Sequence, residues 1–274
     1  MSNLFGFLDF TKPGHFVDDN QYPPFIRFWK RYARHFLKLL SVNLLFCILT
    51  LPIYTWLMSL INVASTQAGG GVISLMGPVL LYFSMKIPAP ILVVLLIASI
   101  LVSGPAAAAL TYSCATLAWD KPGLFWEEFK LAWKANWKQS LPIGIVDALV
   151  CFVSIYYLVD AVALFGAIGL VLTVLWLLLA LLYAMMRVYL YPIMVTVELP
   201  LGTLIKNALI LALLKPWRPL LVILVAGIFC LLCIFADLVI VPCFLYSFVA
   251  YTAAFVAYPM LDKYLLHPEH EAKS

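Results

Sequence analysis

Long stretches of this chain run without a single charged residue, and that limits the fold more than any other feature. From Val162 to Met186 every residue is uncharged and most are aliphatic. A helix of that length crosses the roughly 30 Å of hydrocarbon in a bilayer at about 1.5 Å per residue. The apolar runs are continuous and do not alternate, which excludes a transmembrane β-barrel. Charged residues make up only 11% of the 274 residues, against about 25% in soluble domains. The fold class that follows is all-α, a polytopic transmembrane helical bundle.

Six spans are expected within residues 36–262, over Phe36–Leu60, Pro88–Ala118, Leu141–Leu158, Val162–Met186, Leu220–Phe235 and Ile240–Leu261. Within the first, Asn43 lies deep enough that its amide needs a partner on a neighbouring helix, and Pro52 is placed to kink the outer half. Lys38, one turn in, can snorkel to the interface. The second span is too long for a straight upright crossing, so Gly104-Pro105 is expected to kink it. Ala106 and the three alanines after it then offer a small-residue face for close packing. Asp147 is the one acid well inside an apolar run. Such a carboxyl must be paired, protonated or wetted, and either a functional role or a hydrogen bond to a neighbouring Tyr or Ser would account for it. Arg187 is read as the end of the fourth span. Residues 61–87 form the sizeable outer loop. Its AGGG stretch lacks the Lys-Ser/Thr of a phosphate-binding loop, and its apolar run 72–84 is too short to cross.

The basic residues set the orientation. Arg27, Lys30, Arg31 and Arg34 crowd the end of an amino-terminal segment, 1–35, just ahead of the first span. With both termini cytoplasmic, all of the 17 Lys and Arg except Lys86 fall on the cytoplasmic side, as the positive-inside rule requires. Two amphipathic helices are expected on that side. In the first, over 124–139, Phe125, Phe129, Trp133 and Trp137 recur every four residues and form a slowly drifting face. Lys130, Lys134 and Lys138 form a second stripe about 100° away. Rings beside ammonium groups suit contact with anionic lipid headgroups or with a partner. The second helix, over 201–214, carries Lys206 and Asn207, with Thr203 as its expected N-cap. A polar tail, 263–274, completes the chain.

Catalytic patterns are absent. The sequence has no phosphate-binding loop, zinc-protease motif, nucleophile elbow or paired carboxylates. No enzyme activity, cofactor, metal or nucleic-acid partner is expected. The cysteines, including the Cys230–Cys233 pair, sit in apolar runs with no nearby charge to activate a thiol and read as small buried hydrophobes. His267 and His270 alone are too few to hold a metal.

Several segments, in order and from end to end, resemble the YesL-like family of bacterial, mainly Gram-positive, polytopic membrane proteins. They are FLDFTKPG near the amino terminus, KLLSVNLLFCILTLP (38–52), GPAAAALTY (104–112), FWEEFKLAWKANWKQSL (125–141), YLYPIMVTVELPLGTLIKNALILAL (189–213) and YPMLDKYLLHP (258–268). The stretch between Pro52 and Gly104 is longer here than in shorter members. The resemblance implies an association with carbohydrate uptake, often beside the permeases of ABC importers. The expected function is therefore a non-enzymatic accessory subunit in the bacterial plasma membrane that packs on the permease subunits of a carbohydrate ABC importer. Two alternatives stand beside it: a small-solute transporter or channel using a polar site around Asp147, and a membrane scaffold or signalling protein.

Overall fold

The computed structural model describes residues 22–67, 89–119, 125–157, 162–235 and 242–266. Among them are eight α-helices and no strand: α1 Pro24–Arg34, α2 Phe36–Gln67, α3 Ala89–Ala118, α4 Phe125–Tyr156, α5 Val162–Thr196, α6 Leu201–Leu214, α7 Trp217–Phe235 and α8 Pro242–Leu261. A π-helical turn, Asp262–Leu266, follows α8. Helices are what such composition permits, because hydrocarbon offers the backbone no hydrogen-bond partner except itself. Four helices are long and apolar enough to cross a membrane, with windows at Phe36–Ile53, Val93–Ala118, Gly166–Thr196 and Phe244–Tyr264. The count rises to five if α6 and α7, bent by 92° at their junction, form one broken span.

Contacts fix the direction of each helix. The Arg31 guanidinium donates to the Ala118 carbonyl, joining the α1 end of the chain to the far end of α3. Thr116 near that end donates to Glu128 at the start of α4, and Gln139 donates to the Leu199 carbonyl beyond α5. At the opposite end, Thr173 of α5 reaches the Tyr157 carbonyl and Trp176 reaches Ser154. Helices α3, α4 and α5 therefore run in alternating directions between these two ends, and α6 meets α7 at a bend of 92°.

The central element is α3, which packs against α1, α2, α4, α5 and α8. Ala106, Ala108 and Ala109 are fully buried, so the expected small-residue face closes on neighbours around the helix. At Gly104 the chain approaches α4 so closely that an added Cβ would collide with the Ser140 carbonyl. The opposing Gly144 is equally committed: a Cβ there would lie 2.5 Å from the Gly104 nitrogen. Gly104 thus serves a backbone-to-backbone crossing. Both α2 and α3 continue as helix through Pro52 and Pro105.

One expected boundary and one expected cap are corrected. Helix α5 does not end at Arg187 but runs on to Thr196, because Asp147 pairs the guanidinium and lets the helix carry it onward. The residue flanking the start of α6 is Pro200 and not the expected cap Thr203. The Leu204 N–H bonds the Pro200 carbonyl, so Thr203 sits inside the first turn, where the fixed proline φ has already set the entry. Residues 125–139 and the span that follows form one continuous helix. Of the expected outer loop 61–87, residues 61–67 are instead the helical end of α2; the remainder, His267 and His270 lie outside the described residues, as do the side chains of Cys230 and Cys233.

Candidate functional site

Tyr183, Arg187 and Tyr191 are spaced by four along α5, so their side chains stack on one face of the helix. That face meets Asp147 on α4. The Tyr183 hydroxyl donates to Asp147 Oδ1 at 2.8 Å and the Tyr191 hydroxyl to Oδ2 at 2.9 Å. Arg187 Nε donates to Oδ1 at 2.8 Å, and its guanidinium lies 5.2 Å from the Tyr191 ring centroid. One carboxylate thus receives three hydrogen bonds, one of them from a cation. A lone Asp or Arg at the centre of a span costs about 2.5–3.5 kcal/mol on insertion scales. The pairing offsets that cost for both residues at once, since charge-assisted bonds are the strong ones.

The pair is not sealed. Asp147 retains 17% of its side-chain exposure and Arg187 43%, because two clefts flank them. One, of about 480 Å³, lies among α2, α3 and α4 and is lined by Leu96, Ile100, Phe152 and other apolar groups beside Asp147 and Arg187. The other, of about 330 Å³, faces α5, α7 and α8 and includes Tyr191 and Arg187. Phe46, Ala107, Arg187 and Tyr246 border both, so Arg187 stands in the partition between them.

Asn43 is buried elsewhere. Its Oδ1 accepts the Ser247 backbone N–H at 2.7 Å, and its Nδ2 approaches Cys47 Sγ at 3.5 Å. The Cys114 thiol donates to the Ser247 carbonyl at 3.6 Å. Ser247 is thereby the junction of α2, α3 and α8, and Asn43 lines neither cleft. Of the three intramembrane polar residues expected from the sequence, Asp147 and Arg187 share one network and Asn43 belongs to another. Tyr183, Tyr191, Gly144 and Ser247 were not singled out in the sequence; of these, only the spacing by four of the tyrosines around Arg187 carried a signal.

The α1 end presents a different chemistry. On α4, Phe129 is buried and Trp133 half-buried, while Trp137 is exposed. A four-residue repeat drifts about 40° per step around a helix, so the stripe turns off the core by its last member. Lys130, Lys134 and Lys138 are all exposed. Lys138 stands 5.9 Å from the Trp137 ring, and Lys130 stands 5.4 Å from Trp126, a further exposed ring that the four-residue repeat passes over. Phe125 opens α4. On α6, Leu204, Ala208, Leu211 and Ala212 face inward, Asn207 is half-buried and Lys206 exposed. Ile210, Leu213 and Leu214 are exposed on its outer side. Among the described residues no group of three or more His, Cys, Asp or Glu could hold a metal ion.

Fold and site together define a helical membrane protein with an internal intramembrane ion pair. Residues 39–158 match the model of a family described as "Protein of unknown function, DUF624". Neither a curated protein nor a solved structure matches the chain. The matched stretch takes in Asn43, the Gly104–Gly144 crossing and Asp147, and stops short of Tyr183, Arg187 and Tyr191.

Proposed function

We propose that this chain is a non-enzymatic accessory subunit of the bacterial plasma membrane, of the YesL-like kind. In this reading it packs on the permease subunits of a carbohydrate ABC importer and stabilises or regulates uptake. It crosses the membrane six times with both termini cytoplasmic. Four helices, or five if α6 and α7 form one broken span, are long and apolar enough to cross, and the concentration of Arg and Lys at the α1 end supports the orientation. YesL-like proteins belong to the family matched over 39–158.

The observation that carries the reading is how the polar groups are used. Asp147 is bonded within the chain by Tyr183, Arg187 and Tyr191, and Asn43 by Ser247. These groups fasten helices to one another. The exposed Trp137 with Lys130, Lys134 and Lys138 on α4, and Lys206 on α6, are the groups left to meet a partner or lipid headgroups. One observation favours a second reading, a small-solute transporter: Asp147 and Arg187 both border the cleft of about 480 Å³.

Affinity purification of the tagged full-length chain from its native membrane in mild detergent separates the two. Stoichiometric recovery of importer permease subunits is expected. Recovery of the chain alone contradicts the accessory role and transfers the weight to transport by the chain itself.

A further inference from the structure

A third cavity, of about 660 Å³, opens at the α1 end where α1, the close of α3, the start of α7 and the close of α8 meet. Its wall is far more polar than those of the two clefts inside the bundle. Arg27 and Arg31 line it from α1 and Arg218 from α7, while Asp262 lines it from beyond α8. Among the described residues, three arginines and one aspartate therefore line one pocket. Elements far apart in the chain bring them together, so no local sequence preference accounts for the gathering.

The arginines are also pre-positioned. Arg31 Nη1 is anchored on the Ala118 carbonyl at 2.9 Å. The guanidinium of Arg27 lies 6.0 Å from the Phe255 ring centroid and that of Arg218 lies 5.5 Å from Trp217. Arg218 Nη1 is buried and makes no hydrogen bond to any described residue. A buried charged donor in that state calls for an acceptor. Planar guanidinium groups fit phosphate oxygens in pairs. Trp119 and Tyr258 complete the rim, with the ring chemistry typical of the headgroup layer. Two of the four apolar windows end at the cavity, one at its lining residue Ala118 and one at Tyr264, two residues past Asp262, which sets it at headgroup depth.

We propose that this pocket binds a negatively charged phosphate group, and that its depth makes an anionic phospholipid headgroup the source. The inference needs the helical bundle in a membrane and does not depend on the importer association.

Native mass spectrometry of the full-length protein in neutral detergent tests it. Phosphatidylglycerol and phosphatidylcholine of identical acyl chains are supplied in equal amounts. Wild-type protein is expected to retain phosphatidylglycerol about tenfold over phosphatidylcholine, since each basic group near the headgroups adds measurably to anionic lipid binding. The ratio should fall close to one in R27Q/R218Q and persist in R218K. A second arm titrates inorganic phosphate without lipid. Saturable binding lost in R27Q/R218Q, with no lipid preference, keeps the phosphate site and overturns the lipid source. A wild-type ratio near one together with no phosphate binding overturns the proposal outright, and that result requires no variant to fold.

Discussion

Asp147 takes three hydrogen bonds from one face of α5, and that single residue decides how α4 and α5 are registered. Removing its charge leaves Arg187 without its carboxylate in a mostly apolar setting, which is costlier than removing both partners. Asp147→Asn is therefore expected to destabilise the bundle by about 1–3 kcal/mol, read as a lower thermal unfolding midpoint in detergent. Arg187→Gln added to Asp147→Asn should recover part of that loss, with a coupling of about 1 kcal/mol or more in a double-mutant cycle. Strictly additive losses would mean that the pair does not hold the helices together. Asp147 was legible in the sequence as an acid that needed a partner. A tyrosine was among the partner types the sequence offered, but which residues meet Asp147 was not legible, because a hydrogen bond across 36–44 residues depends on register between helices.

Helices α3 and α4 touch at backbone level through Gly104 and Gly144. The small-residue run after Gly104 announced a packing face, but no local pattern pairs it with Gly144, a lone glycine in an apolar stretch. Gly144→Ala puts a methyl 2.5 Å from the Gly104 nitrogen, so the helices must part. A loss of about 1–3 kcal/mol is expected from such overpacking. Ile168→Ala, on the exposed side of α5, should stay within about 0.5 kcal/mol. Similar midpoints for the two variants would contradict the close crossing. The helices themselves were readable from apolar run length alone. Their ends were less so: pairing of Arg187 carries α5 on to Thr196, and Pro200 sets the start of α6. Both are effects of neighbours outside the run.

At the scale of the whole molecule, polar groups inside the bundle bind the chain to itself, and basic and aromatic groups gather at the α1 end. The aromatic stripe of α4 was visible as a spacing of four, yet it divides between core and surface because the repeat drifts around the helix. Phe129 closes on the bundle while Trp137 and the three lysines remain outside. An accessory subunit needs such an outward surface, and a self-contained transporter does not. The most direct measurement replaces Trp137 with a photo-crosslinking amino acid in the full-length chain and irradiates native membranes during carbohydrate uptake, with the same label at Ile168 on the lipid-facing side as reference. An adduct with an importer permease subunit from position 137, absent from position 168, is the predicted result. Adducts with lipid alone from both positions would contradict the account.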